Sequence, residues 1–287
     1  MQEKILGPGR ITRHYDSLTE MIHHAQTAPV LWPMQASRTE RKSPAWDADA
    51  GYAGALKLAN DGWPEGIKQI HAMARLVHTG AVATRGYGVA GDHPDIGRAL
   101  SGDPRNMVSR GSRRAPKPVV TIAVGLSMAW SVNSRLPMNY GAALAGLIDR
   151  LESYGVRIEL HASGGAVQRR YGSGDQMVSV AVCLKRPEDA MDHSAIAFAV
   201  AHPGMFRRLM FSAMEKMPAE TYLGPSYGQP VSRFGPDQYC DLPEGTTYLN
   251  GVQAAAKESE TFEGAVKFLQ LQLNVQALAN IAELEVL

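Results

Sequence analysis

Apolar and polar positions change their period along this chain, and each change predicts an element. Residues 15–26, YDSLTEMIHHAQ, place Leu18, Ile22 and Ala25 at helical spacing, which predicts a short helix. A polar loop follows between Ser37 and Ser43. A second helix is expected over 49–60, with its stop at Asp61-Gly62. Trp63-Pro64 then opens a third, with Pro64 near the first helical position and Ile67, Ile70, Met73, Ala74 and Val77 on its apolar face. Trp46 and Trp63 are expected to anchor these helices to a larger body, because so short a helical segment cannot bury two indoles alone.

From Pro118 the pattern turns to strands. PVVTIAV, residues 118–124, is a continuous apolar run and suits a strand covered on both faces. GLSMAWSVNSRLPM reads as a loop. Residues 139–154 return to a helical period through Leu144, Leu147, Ile148 and Leu151, and Gly155 is a natural stop. VRIELHA, residues 156–162, alternates as a strand, SGGAVQRRYGSGD reads as a polar turn, and 176–184 is the next strand. Strand, helix, strand and strand make a crossover unit with a hairpin partner. Helices are expected over 193–201 and 204–216, broken at His202-Pro203-Gly204. Residues 218–245, rich in Pro, Gly and Tyr, form a long loop. Such loops are uncommon inside compact domains and often carry binding. TTYL, 246–249, is a short strand, and 260–280 is a last helix with Phe262, Ala265, Phe268, Leu269 and Leu273 on one side. The named seam lies near 110–117. It would part a mainly helical region, 1–110, from an α/β domain, 111–287, unless the helices pack on the sheet as one domain.

Composition narrows the class. With 45% apolar residues in 287, the chain has material for a sizeable core. No stretch approaches the roughly 20 apolar residues of a membrane helix. MQEKILGPGR has no apolar run of a secretory signal, and two cysteines make no disulfide framework, so a reducing, cytoplasmic setting is expected. Cys183 sits in an apolar run and reads as buried filler.

Twenty-nine basic against 28 acidic residues leave +1, which excludes a chain basic as a whole. Locally the picture differs. Arg105, Arg110, Arg113, Arg114 and Lys117 follow one another without an acid. Guanidinium forks in that density can track a phosphate backbone; the same run also reads as a solvated linker. Arg169-Arg170 and Arg207-Arg208 would widen a basic patch if folded onto one face, with Tyr87, Trp130 and Tyr171 as stacking candidates. The nine histidines include His71 and His78 on one helical face, but no HExxH and no Cys/His zinc spacing. Asp92, Asp95, Arg98 and Asp103 form either a polar pocket or capped turns. GYGVAG, 86–91, matches GxGxxG but follows a helix rather than a strand, and no acid stands about 20 residues on, so it reads as a turn.

The segment Pro118 to Lys185 resembles the opening of a von Willebrand factor A-like domain, through VVTIAV, GLSMAWSVNS, NYGAALAGLIDRLESYG, VRIELHA and MVSVAVCLK. The resemblance implies a doubly wound, Rossmann-like α/β sheet flanked by helices. That family's Asp-x-Ser-x-Ser falls on Gly125 to Ala129, where only Ser127 is kept. Asn250, after TTYL, stands where a later acid is usual. Magnesium needs hard, partly acidic oxygen ligands, which Gly125, Ser127 and Ser131 do not supply. No metal or cofactor is therefore expected. GDHPDIGRALSGDPRNMV and HPGMFRRLMF resemble proteins of tailed bacteriophages, which implies a phage or prophage context. Together these imply a non-catalytic interaction or scaffolding protein with a phage or host protein as partner. Its contact surface would join Ser127, Trp130 and Ser131 to Tyr222 and Tyr227 of the long loop. Nucleic-acid binding through Arg105 to Lys117 is the second reading. An enzyme without a recognisable motif is the third, and it would need Asp92 and Asp95 close to Asp189 or Asp192.

Overall fold

A computed structural model describes residues 1–35, 37–39, 43–68, 86–89, 93–94, 96–109, 118–153, 155–169, 175–190 and 192–273. In chain order the elements are β1 (Gln2–Gly7), β2 (Arg10–Tyr15), α1 (Leu18–Thr27), α2 (Pro44–Asp47), α3 (Gly51–Asp61), β3 (Gly86–Gly88), β4 (His93–Pro94), α4 (Ile96–Leu100), β5 (Met107–Ser109), β6 (Val119–Gly125), α5 (Arg135–Ser153), β7 (Arg157–Gln168), β8 (Gln176–Lys185), α6 (His193–Ala201), a π-helical turn (Met205–Met210), α7 (Phe211–Met214), β9 (Gln229–Pro230), β10 (Thr247–Leu249) and α8 (Phe262–Gln272). The chain divides into two compact units: Met1–Val77 with Val119–Leu287, and His78–Pro118.

The division differs from the expected one at 110/111. Residues 2–15 are not part of a helical region but form two strands of the main sheet, because β2 pairs in parallel with β8 from Arg10↔Met177 to Tyr15↔Val182. Sequence reading misses β1 and β2 because Lys4, Arg10, Arg13 and His14 break the apolar alternation. Buried Arg13 is held by Glu3 at 2.7 Å and by the Lys216 carbonyl at 3.2 Å.

The first unit is built on a seven-stranded sheet of order β1-β2-β8-β7-β6-β10, with β9 paired to the far end of β7. The pairs β2/β8, β7/β6 and β6/β10 are parallel, and β1/β2, β8/β7 and β7/β9 antiparallel. Successive strand residues point to opposite faces, and the two faces are covered differently. On one face Ile11, Tyr15, Ile122, Val124, Ile158, Leu160, Ala162, Val178, Val180 and Val182 join one core with α1, α3, α5, α6, the π-helical turn, α7 and α8. On the other, Ala123, Met177 and Ala181 pack against Val231, Phe234 and Tyr239 of the irregular segment after β9.

Local rules account for the helices. Ser17 caps α1 by accepting from the Glu20 amide, Asp192 caps α6 through the Ser194 and Ala195 amides, and Thr261 caps α8. Gly155, at φ +90°, ends α5 as expected. β7 runs six residues beyond the expected strand end, through SGGAVQ. Gly164 is tolerated in mid-strand because Phe206 and Met210 lie where its Cβ would be, at 2.4 and 2.6 Å. Gly251 serves a second close approach: a Cβ there would stand 1.8 Å from the Gly125 carbonyl oxygen, where the ends of β6 and β10 meet.

The second unit carries β3 and β4 on either side of β5, both antiparallel to it. Gly86 and Gly88 of the GxGxxG match are thus strand residues. Arg98 pairs with Asp103 at 3.2 Å, and Asp103 also accepts the Arg105 amide at 2.9 Å.

Candidate binding cavity

At the carboxyl end of β6 the chain leaves the sheet through Leu126, and the loop to α5 is then held from within. Ser127, fully buried, donates to the Gly165 carbonyl and accepts its amide, both at 2.7 Å. Its hydroxyl is thereby consumed in fixing loop to strand. Next along, the Ala129 amide donates to Gln253 Oε1 at 2.7 Å. Arg207 then reaches in from the π-helical turn. Its Nη2 donates to the carbonyls of Ala129 and Val132 at 2.6 and 2.8 Å, and its Nη1 to that of Trp46. Arg208 meets Asp47 Oδ2 at 2.6 Å, and both guanidinium groups lie over the Trp46 ring, at 5.6 and 4.6 Å. All six residues of the π-helical turn are buried, the two successive arginines among them.

These contacts correct the idea that Arg207 and Arg208 widen a surface basic patch. They are 1% and 0% exposed and act as clamps on two loops. Of the remaining cations, Arg105 and Arg169 are exposed, while Arg110, Arg113, Arg114, Lys117 and Arg170 lie outside the described residues.

The pinned loop forms one side of a cavity of about 800 Å³. It is lined by Trp46, Met128, Ala129, Trp130, Ala166, Phe206, Arg207, Phe211, Pro225 to Pro230, Ser232 and Gln253. Trp130 is 84% exposed beside it. The Tyr227 ring stacks on Phe211 at 4.3 Å and 5°, and its hydroxyl donates to buried Glu215. Tyr227 holds φ +58°, uncommon for a bulky residue, and Gly228 follows at +70°. A Cβ on Gly228 would stand 2.6 Å from the Val167 oxygen, so the wall can turn this closely against β7 only with glycine there.

The structure brings Trp130 and Tyr227 to one cavity. Ser131 is exposed. Tyr222 does not line the cavity; it packs on Trp32 at 5.5 Å, an indole that also meets Tyr227 at 5.9 Å. Among the acids named for an enzyme, Asp189 accepts the Arg186 amide, Asp192 is spent on capping α6, and Asp92 and Asp95 lie outside the described residues. So do Tyr171, His71 and His78.

Sequence reading misses a second polar centre. His14 on β2 and His161 on β7 face each other across β8, where that strand presents only Ala181 and Cys183. His14 Nε2 and His161 Nδ1 are 3.1 Å apart, and His14 Nδ1 donates to the Cys240 carbonyl at 3.2 Å. His161 Nε2 lies 3.1 Å from Glu159 Oε1, and Thr121 donates to Oε2. The donor count is decisive. If neutral His14 donates at Nδ1, it accepts at Nε2, so His161 must donate there. His161 Nε2 then meets a carboxylate that only accepts, so the His161–Glu159 contact needs one further proton. Both histidines charged would oppose N–H to N–H. Burial and the charge of His161 push His14 down to about 4, and burial lowers His161 against the pull of Glu159. A cavity of about 420 Å³ adjoins the pair, lined also by Asp16, Cys183, Arg186, Cys240 and Asp241, and burial raises both thiols. The signal in sequence is the alternation of RITRHY and VRIELHA, which turns Thr12, His14, Glu159 and His161 to one face.

Among the described residues no group of three His, Cys, Asp or Glu side chains could hold a metal ion, and no helix is long and apolar enough to cross a membrane. Fold and cavities together define a mixed α/β domain with its helices on one sheet face and an irregular strap on the other. Residues 3–273 match a family described as a domain of unknown function, DUF7192, and the chain belongs to that family. No curated protein and no solved structure matches it.

Proposed function

We propose that this domain is a non-catalytic interaction module whose apex cavity receives a segment of another polypeptide. One observation carries the reading: an indole 84% exposed beside a cavity whose walls are fixed by buried hydrogen bonds. A large aromatic left in solvent beside a preformed, mostly apolar hollow is the composition of a binding hot spot. The unusual backbone of Tyr227 in the cavity wall adds to it, since strained residues gather at ligand clamps. The finer reading, a von Willebrand factor A-like sheet with its metal motif lost, draws support from the parallel β7-β6-β10 run with antiparallel β8 beside it. Asn250 at the end of β10 and the internal use of Ser127 agree with it. A phage or prophage setting, with a phage or host protein as partner, rests on the resemblance of the two quoted segments.

The test is a selection of linear peptides from a random library on the intact chain, followed by fluorescence titration. Selected peptides should blue-shift the tryptophan emission of the parent, with the Trp130 part read as the difference from Trp130→Ala because Trp46 lines the same cavity, and should lose binding to Trp130→Ala. A selection that enriches nothing over the Trp130→Ala protein, or a chain that binds only nucleic acid in a salt-dependent way, would overturn the proposal.

A further inference from the structure

The apex cavity has an unbalanced charge in its wall. Arg207 is 1% exposed and makes its hydrogen bonds to three backbone carbonyls, those of Trp46, Ala129 and Val132. Carbonyl dipoles solvate a guanidinium but do not cancel its charge. Among the described residues no carboxylate lies within ion-pair distance of it; Asp47 pairs with Arg208 at 2.6 Å and acts on Arg207 only from farther off, so two guanidinium groups share one carboxylate. Burial brings Arg207 down to about 10, so the group remains charged at neutral pH. Its Nε, fully shielded from solvent, has no hydrogen-bond partner. A buried donor left unmatched costs the fold stability.

The lining of the cavity does nothing to offset this. Its polar members are Ser226, Gln229, Ser232 and Gln253, all neutral, and none of its residues is acidic. Gln253 spends its oxygen on the Ala129 amide, which leaves its NH₂ as a further donor. The remaining walls are aromatic or aliphatic, so a charge set in them is screened less than one on the open surface.

From this arrangement we infer that the segment received by the apex cavity carries a carboxylate, an Asp or Glu side chain beside an apolar residue, whose charge balances that of Arg207. The inference rests on the polypeptide-binding reading above and names the chemistry of the segment. A singly charged carboxylate fits better than a phosphate, because one uncompensated cation stands in the wall. The apolar neighbour packs against the aromatic lining, Trp130 and Phe211 among it, while the carboxylate turns toward Arg207 and the Gln253 amide. Direct contact with the guanidinium is not required, because the low dielectric of the wall carries the attraction.

The experiment varies the ligand and leaves the protein intact. Peptides from the library selection are resynthesised as Glu/Gln or Asp/Asn pairs and titrated against the whole chain by Trp130 fluorescence. The acidic form should bind at least about tenfold more tightly, with the difference shrinking as salt rises. Arg207→Lys, which keeps the charge, should retain the preference. Arg207→Met, used only if its circular dichroism and melting match the parent, should abolish it. Peptides that quench or shift Trp130 equally in acid and amide form would overturn the inference and leave the polypeptide reading standing. A phosphoserine variant that binds more tightly than the glutamate would overturn the assignment to a carboxylate. If no peptide binds at Trp130, the underlying reading itself has failed.

Discussion

The two faces of the main sheet are held by different physics. The helix face is a continuous apolar core from Ile11 and Tyr15 across Val182 and Leu160 to Val124. The strap face has few apolar contacts and many directed bonds instead. Thr12 donates to the Asp237 carbonyl at 2.6 Å, Ser163 to that of Gln238 at 3.1 Å, His14 to that of Cys240, and the Tyr239 hydroxyl to that of Val124 at 2.9 Å. Apolar burial is non-directional and tolerates imperfect fit. A row of side-chain bonds to one backbone segment positions that segment residue by residue, and fails where a single donor or proton state is wrong. The irregular strap can thus remain irregular and still be ordered.

Substitutions on either face can break this contrast. The largest effect is expected on the helix face. Leu160→Ala, at a position with no exposure, should cost about 2–5 kcal/mol in denaturant unfolding, because a cavity opens in close-packed surroundings. A loss under about 1 kcal/mol would show that this face is not the main source of stability.

Acid comes next, and it acts on one buried histidine of each face. His14 on the strap face and His202 on the helix face are both brought down to about 4, chiefly by burial. His202 Nδ1 accepts the Gly204 amide, which needs the neutral ring. Each folded value lies below the unfolded value near 6.5. Their contribution is therefore complete above about pH 6.5 and lost as pH falls toward 4, about 3 kcal/mol for each ring. His14→Gln and His202→Gln should each flatten part of the stability profile. An unchanged slope for His14→Gln would remove the histidine pair from the account. Amide exchange sharpens the point: strap amides over 231–243 should open before those of β6 and β7 at acid pH.

Smaller still is Tyr239→Phe, which removes one buried bond to the Val124 carbonyl and should cost about 1 kcal/mol in urea unfolding. A cost as large as that of Leu160→Ala would contradict the division of labour. Trp130→Ala comes last, with an expected change within about 0.5 kcal/mol because the indole is mostly in solvent. A large loss would mean that Trp130 packs as part of the fold, against its reading as a binding residue.

Elements with a clean period are legible in the residue order alone. α1, α3, β6, α5, β8, α6 and β10 fall within a few residues of their expected places, because apolar spacing and caps are local properties. The failures share a cause. Arg13 and His14 look like surface residues until Glu3, the Lys216 carbonyl and Cys240 are known to stand against them. SGGAVQ looks like a turn until Phe206 and Met210 are known to need the space above Gly164. The apex is half legible. Composition singles out its two loops, but not that Arg207 fastens one of them or that Tyr222 turns away to Trp32.

What the chain alone determined is the class of fold and the absence of certain chemistries from its motifs: a mixed α/β protein, near neutral, with no complete metal motif around Ser127. Those follow from residue types and short-range spacing. Tertiary structure alone decided that residues 2–15 extend the sheet, that Arg207 and Arg208, which would have widened a basic patch if folded onto one face, are buried clamps, and that His14 meets His161 across 147 positions of sequence. The physical reason is common to all three. A charged side chain is acceptable in the interior only when specific partners meet it there, and those partners come from distant segments that no local pattern reveals.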